Sequence, residues 1–349
     1  MASRLGIKRI VFSPSGAMAL SVLYSLWLDL PKLDDPLDPT AVISFDKIPN
    51  SPKYPWWKIS PTPDHRACVE GDPAMEFIKD GILANIESWG LAINTFSELE
   101  GPYLDHLKKV MGNARVWAVG PLHSFRDQNN NSFIGPLHSG GSSSVSVDRL
   151  LTWLDTCEDG EVVYVCFGSQ VVLTNDQMSG VASGLEKSGV RFLWSVKEPT
   201  VGHVEKKYGM IPDGFEDNVA NRGLVIRGWA PQVTILSHRA VGAFLTHCGW
   251  NSVLEAVVAS VTILTWPFGA DQFMNETLLV DELRVAKKAC EGAQTVPDSE
   301  ELARVVAESV SNKSRVERGV KDLRKAALEA IREGGSSAKD MEELVKHLI

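Results

Sequence analysis

The chain has 349 residues, 44% of them hydrophobic and 23% charged, with a formal net charge of −9 at pH 7. That is an ordinary globular composition, long enough for two domains. The acidic balance, with no basic stripe, argues against nucleic acid as a partner, and no run of about 18 apolar residues exists to span a membrane.

The five cysteines, Cys68, Cys157, Cys166, Cys248 and Cys290, are odd in number and contain no C-x-x-C pair. This fits free thiols in a reducing, cytoplasmic compartment better than a disulfide framework. Near the start, Arg4, Lys8 and Arg9 precede an apolar stretch that imitates a signal peptide, but Pro14 and Gly16 break it early. IKRIVFSPSG reads instead as a strand over Ile10–Ser13, then a turn and a helix over about residues 17–28. Residues 31–63 are Pro-rich, show little periodicity and carry the adjacent Trp56 and Trp57. Further strands are read over residues 91–95 and over 115–119, the latter stopped by Gly120-Pro121. Residues 128–146 are rich in Asn, Gly and Ser and read as a flexible linker.

From Asp148 the pattern becomes regular. VVYVCF (162–167) is a strand, followed by Gly168-Ser169 and a helix over about 176–188. RFLWSV and LVIRGW are strands, then comes a short helix near 232–236. GAFLT is a strand, a helix covers about 251–259, and TILTWP is a strand. Such alternation predicts a parallel, doubly wound sheet. The remainder, from about residue 299, is charged and helical, with no internal repeat and no coiled coil.

The densest chemistry lies in residues 229–272, WAPQVTILSHRAVGAFLTHCGWNSVLEAVVASVTILTWPFGADQ. An aromatic face there can stack a base, NH and OH donors can hold a diphosphate, and Glu, Asp and Gln can read hydroxyls. Gly249, between His247 and Trp250, lets backbone approach a ligand closely. His247, Asn251 and Ser252 fall between a predicted strand and the helix after it, where open sheets place ligands and a helix N-terminus favours phosphate. The segment resembles the signature box of the plant secondary-product UDP-glycosyltransferases. The Trp, the Gln three on, the HCGWNS run, the Glu and the closing Asp-Gln all stand at the family's spacing.

The resemblance implies an α/β fold of GT-B type, two Rossmann-like lobes with parallel sheets. It implies that Trp229 stacks on uracil, that Ala230 and Gln232 touch the uridine, and that Glu255 accepts from the ribose hydroxyls. His247, Asn251, Ser252 and Ser169 would hold the diphosphate, although a helix N-cap remains an alternative reading of Ser169. Trp250, Asp271 and Gln272 match the sugar-contacting positions, and a closing Gln is similar to that of glucose users. Ser260 and Thr262 stand where the family has Gly and Pro, which predicts lower local stability rather than a changed reaction.

The family's catalytic His, in a strand-Gly-His element, and the Asp that orients it find no match. His65, His106, His123 and His138 read as surface residues. The chain therefore reads as having an incomplete N-terminal lobe, with a slow or absent turnover and an unpaired sheet edge. The expected organisation is a partial acceptor-binding lobe (1–120), a linker (121–147), a UDP-sugar-binding lobe (148–331) and a C-terminal helix (332–349) packing back on the first lobe. The expected function is inverting transfer of glucose from UDP-glucose, a co-substrate, to a hydroxyl of a small phenolic or flavonoid acceptor. No cofactor and no metal is expected, since no Asp-x-Asp pair occurs, and the protein is expected to be a monomer. Two alternatives remain: a UDP-sugar-binding fragment without activity, and a dinucleotide oxidoreductase. The latter lacks the G-x-G-x-x-G after a strand that it would need.

Overall fold

The structure is a computed structural model describing residues 5–29, 38–59, 73–122, 125–126, 133–134, 143–197, 207–311 and 315–348. The chain begins with β1 (Ile10–Ser13), α1 (Ala17–Asp29), β2 (Val42–Ser44), β3 (Lys53–Pro55), α2 (Trp56–Ile59), α3 (Pro73–Ile86), β4 (Gly90–Ile93), α4 (Ser97–Val110) and β5 (Val116–Ala118). It continues through β6 (Phe125–Arg126), β7 (Phe133–Ile134), α5 (Val147–Asp155), β8 (Val162–Cys166), α6 (Asn175–Ser188), β9 (Arg191–Val196), α7 (Phe215–Asn218) and β10 (Gly223–Arg227). The last part holds α8 (Gln232–Leu236), β11 (Val241–Thr246), α9 (Trp250–Ala259), β12 (Thr262–Thr265), α10 (Gln272–Glu276), a π-helical turn (Thr277–Glu282), β13 (Ala286–Lys288), α11 (Ser299–Ser311), α12 (Arg315–Ile331) and α13 (Ser336–Leu348).

Contacts divide these elements into two units. The first comprises residues 1–122, 269–275 and 325–349. Its parallel sheet has the order β1-β4-β5, with Ile10 opposite Gly90 and Leu91 opposite Val116. Helix α1 is buried on nearly every side, because AMALSVLYSLW is apolar all round. Residues 42–55, expected to lack regular structure, form an antiparallel β2–β3 pair that runs straight into α2. Alternation in so short a pair, interrupted by prolines, is too brief to read from sequence.

A buried carboxylate ties this unit together. Glu100 sits inside α4 with φ −132° and ψ 24°, just before Gly101-Pro102, where the helix kinks. Its carboxylate accepts the N–H groups of Ala17 and Met18, both at 2.8 Å, and the Thr95 hydroxyl at 2.6 Å. Those amides open α1 and have no partner within the helix, so Glu100 caps α1 from a distant part of the chain. On the same sheet, α13 docks against β5. Asp340 accepts the Ala118 N–H at 2.7 Å, and the Ser337 hydroxyl donates to the Gly120 carbonyl at 2.5 Å.

The second unit comprises residues 123–268 and 276–324. Its six-stranded sheet runs β10-β9-β8-β11-β12-β13, every pair parallel. The central strands VVYVC, RFLWSV and TILT are buried almost throughout, as expected for a sheet covered on both faces. Phe167, Phe192, Trp194, Phe215 and Trp266 fill one core cluster. The end of the expected flexible linker is anchored rather than loose. Ser144 exchanges hydrogen bonds with Arg227 at the end of β10, and Ser146 caps α5.

At the far end of α9, Ser260 adopts φ 62° and ψ 38°. This is the left-handed helix C-cap that glycine usually occupies, and the Ser260 hydroxyl is buried with no hydrogen-bond partner. A non-glycine residue there costs about 1–2 kcal/mol, partly offset by the greater unfolded-state entropy of glycine. Ser260→Gly should therefore stabilise the protein by about 0.5–1 kcal/mol, read as a higher Tm in thermal unfolding. A lower Tm would refute the strain assignment.

Candidate functional site

The register of the large sheet sets the centre of the site. Thr246 pairs with Cys166, so β8 and β11 end side by side. Strand order reverses between them, with β9 and β10 continuing on one side and β12 and β13 on the other. Loops leaving the carboxyl ends of strands at such a reversal form the ligand crevice of open α/β sheets.

Two loops meet there around one imidazole. A Cβ built on Gly168 would lie 2.6 Å from His247 Cε1, and one on Gly249 would lie 2.5 Å from His247 Nε2. Only glycine admits the ring at both positions, and Gly168 also needs its φ of +74°. Burial pushes the His247 pKa down to about 4. At neutral pH the ring is therefore uncharged, with one N–H to donate. Its Nδ1 lies 3.4 Å from the Thr246 hydroxyl. Cys248, next along, holds a left-handed φ of 64°, a strained conformation of the kind found at ligand clamps.

Helix α9 starts at this loop. Its N-cap is Gly249, which brings no capping side chain, so the positive end of the helix dipole faces the crevice with its amide donors. Asn251 is exposed and Ser252 buried in the first turn. Trp250 is only 3% exposed. Its indole belongs to the core, and what it presents to a ligand is backbone. Ser169 is exposed in the turn after β8, and Lys197 Nζ donates to its carbonyl oxygen. The helix-cap reading of Ser169 is excluded, because α6 is capped by Thr174 in a capping box with Gln177.

Beside this loop pair, Gln232 links α8 to α9. Its Nε2 donates to Ser252 Oγ at 2.9 Å and to Glu255 Oε2 at 2.7 Å. Burial pushes the Glu255 carboxyl up and the Gln232 donor pulls it partly back. Trp229 and Ala230 follow β10, both half-buried, and among the described residues no ring packs on the Trp229 indole. Asp271 and Gln272 belong to the 269–275 segment of the first unit. There Asp271 accepts hydrogen bonds from Ser15 and Asn275 while burial raises its pKa, and Gln272 Oε1 accepts the Gly269 N–H at 3.2 Å.

The histidines differ from expectation at one position. His106 is half-buried rather than on the surface, its Nε2 is enclosed without a partner, and burial lowers its pKa. His65, His123 and His138 lie outside the described residues. Sequence reasoning missed Lys197, Ser15 and Asn275, which no spacing rule connects to the box. It also missed the role of Gly168 as half of the histidine clamp, although a glycine directly after a buried strand was the available signal. Among the described residues there is no disulfide, no cluster of three or more metal-type ligands, and no helix long and apolar enough to cross a membrane.

Comparison with known proteins agrees with this geometry. The family described as UDP-glucoronosyl and UDP-glucosyl transferase matches residues 95–315. UDP-glycosyltransferase 89B2 of Stevia rebaudiana is 58% identical over 349 residues, which are 100% of this chain and 72% of that one. Flavonol 3-O-glucosyltransferase UGT89B1 of Arabidopsis thaliana is 54% identical, covering 99% of this chain and 70% of that protein. The crystal structure of Arabidopsis thaliana UGT89C1 complexed with UDP-L-rhamnose superposes with a TM-score of 0.74 at 38% identity, covering 99% of this chain and 68% of that one. With a parallel sheet reversing at a clamped histidine and a helix N-terminus, and with relatives this similar along its whole length, the chain belongs to the UDP-glycosyltransferase family and has its GT-B fold.

Proposed function

We propose that this protein transfers glucose from UDP-glucose to a hydroxyl of a small phenolic or flavonoid acceptor, with inversion at the anomeric carbon. The observation that carries the reading is the His247 ring held between Gly168 and Gly249 at the sheet's reversal point, beside the N-terminus of α9. The acceptor oxygen bonds to the anomeric carbon as the bond to the diphosphate oxygen breaks. Charge then grows on the diphosphate, where the helix dipole, the neutral His247 N–H and the Asn251-Ser252 turn stabilise it. Ser169 contributes a second phosphate contact. Trp229, Ala230 and Gln232 take the uridine, and Glu255 the ribose hydroxyls. Trp250, through its backbone, and Asp271 with Gln272 read the sugar. A phenol with a pKa near 10 needs a base at neutral pH. His247, with its depressed pKa, serves as a donor to the phosphates and not in that role.

The acceptor class follows the 54% identical flavonol 3-O-glucosyltransferase, and the glucose preference follows Gln272. The division of labour stays as the sequence suggests, with residues 1–120 facing the acceptor, 121–147 linking, 148–331 holding the donor and 332–349 bracing the first lobe. The reading also includes a monomeric, cytoplasmic protein that works without a metal. A turnover assay with UDP-glucose, UDP-galactose and UDP-rhamnose against flavonols and hydroxybenzoates tests it. The expected product is a β-glucoside from UDP-glucose. A preference for another sugar refutes the glucose assignment, and transfer to non-phenolic hydroxyls in preference to phenols refutes the acceptor class.

Donor binding is testable apart from turnover. Calorimetry should detect UDP binding that Trp229→Ala weakens by at least about 1 kcal/mol, the lower end for losing a base stack on an aromatic face. The binding should persist in excess chelator. Collapse under chelator with recovery on Mg²⁺ would overturn the metal-free reading.

Glu255 should show a trade between stability and binding. Its folded pKa is raised above the ordinary 4.5, so the folded state disfavours the ionised form. Stability is then fullest below about 4.5 and is lost as pH rises from there through the folded value. Glu255→Gln keeps an acceptor for Gln232 and removes that penalty. The variant should gain Tm over the parent as pH rises above 5, with little gain at pH 4, while losing UDP affinity several-fold. A pH-independent difference in Tm would contradict the burial argument.

A further inference from the structure

Three strands of the second unit finish side by side. Val165 pairs with Trp194 and Val196 with Arg227, which puts the carboxyl ends of β8, β9 and β10 in a row. The residue after β9 is Lys197, half-buried. On one side of it, the Val196 carbonyl accepts the Gly228 N–H at 3.0 Å, fixing the chain just before Trp229. On the other, the Lys197 ammonium donates to the Ser169 carbonyl. That carbonyl belongs to the turn whose Gly168 lies against the His247 ring. Lys197 therefore stands between the loop that carries Trp229 and the loop that carries Ser169.

A lysine ammonium is a compact charge with three N–H donors. Among the described residues, the Ser169 carbonyl is the one hydrogen-bond partner of Lys197, and no carboxylate pairs with it. Two cations on the neighbouring strands are spent. Arg191, opening β9, pairs with Glu161 at 3.2 Å, and Arg227, closing β10, pairs with Glu216 at 2.8 Å. Lys197 thus leaves two donors and an unneutralised charge at the strand ends. His247 supplies no charge there, since burial holds its pKa down at about 4, and a helix end supplies only about half a charge.

We propose that Lys197 is a further diphosphate-binding residue, donating from its ammonium to a phosphate oxygen of the UDP-sugar. This rests on the reading that Ser169 and the N-terminus of α9 hold the diphosphate. The Ser169 carbonyl keeps the ammonium over the turn, and the two remaining donors are what a phosphate oxygen accepts from. Uridine alone carries no charge for Lys197 to meet, so the residue acts on the difference between UDP and uridine.

The test is calorimetric Kd measurement for UDP and uridine on the full chain, comparing the parent with Lys197→Met and Lys197→Arg at low and high NaCl. Lys197→Met keeps the apolar stem and removes the charge. It should weaken UDP by about three- to tenfold at low salt, the lower range for a hydrogen bond between charged groups that solvent partly screens, with uridine unchanged within about twofold. The parent should lose UDP affinity more steeply with salt than Lys197→Met does. Lys197→Arg keeps charge and donors and should stay within about twofold to threefold of the parent. If the parent prefers UDP over uridine and Lys197→Met keeps that preference in full, the Lys197 contact is overturned while the diphosphate reading stands. A UDP loss in Lys197→Met with the parental salt slope, or shared by Lys197→Arg, means that the side chain only braces the turn, and the proposal fails. If the parent binds uridine as well as UDP, the diphosphate reading itself falls, and this proposal with it.

Discussion

The pairing of Thr246 with Cys166 is the constraint on which the second unit depends. It places β8 and β11 side by side although β9 and β10 intervene in sequence, so two loops far apart in the chain leave the sheet at one point. Right-handed crossovers put α6 and α9 on opposite faces, and the two loops are left to converge at the strand ends. The convergence is close enough that both flanking residues of the imidazole must be glycine. A methyl group at either position would push the ring away. The His247 position is therefore a product of sheet topology first and of the box second.

Charge inside this unit is set largely by burial. Burial leaves His247 neutral, with a pKa of about 4. On the proposed reading, the attraction for a diphosphate comes from a helix dipole and N–H donors, whose fixed orientation costs little reorganisation. Glu255 is the opposite case. A buried carboxylate near an anion is unfavourable twice over, through desolvation and repulsion. On the proposed reading, ribose hydroxyls donate to it beside Gln232. Gln232 serves both ends of that problem, since one NH₂ group holds Glu255 and Ser252 together.

Much of this was legible in the sequence, and the reasons are specific. β1, α1, β9, α8 and β11 follow from dense apolar runs bounded by Gly and Pro, and each lies within a residue or two of its expected range. The box residues were legible because they are contiguous with the elements that carry them. What stayed hidden depends on contacts remote in sequence. Helix α4 is masked by Gly101-Pro102, and its kink is stabilised by Glu100 bonding residues 82 and 83 positions away. Glu100, in SELEGPYLDHLKK, is fully buried. Likewise nothing in FSPSG points to Asp271, because the chain between them folds through both units. The orientation of Trp250 was hidden for the same reason. Periodicity places it at a helix start, but only packing reveals that its indole faces inward.

The departure at Ser260 separates stability from chemistry in this fold. The strained cap sits at the C-terminal end of α9, and the N-cap glycine, Gly249, sits at the other end. Ten residues at 1.5 Å each put about 15 Å between them. A helix of that length is stiff, and its hydrogen bonds absorb a distorted last turn without moving the first. The cap also satisfies its own carbonyls, since the N–H groups of Ser260 and Val261 close on Val257 and Ala256 as a glycine cap would. The backbone keeps the path that glycine would give it, and only the energy of holding a side chain there differs. Substitution at this position therefore changes how firmly the second unit is folded and leaves the geometry around His247 as it is.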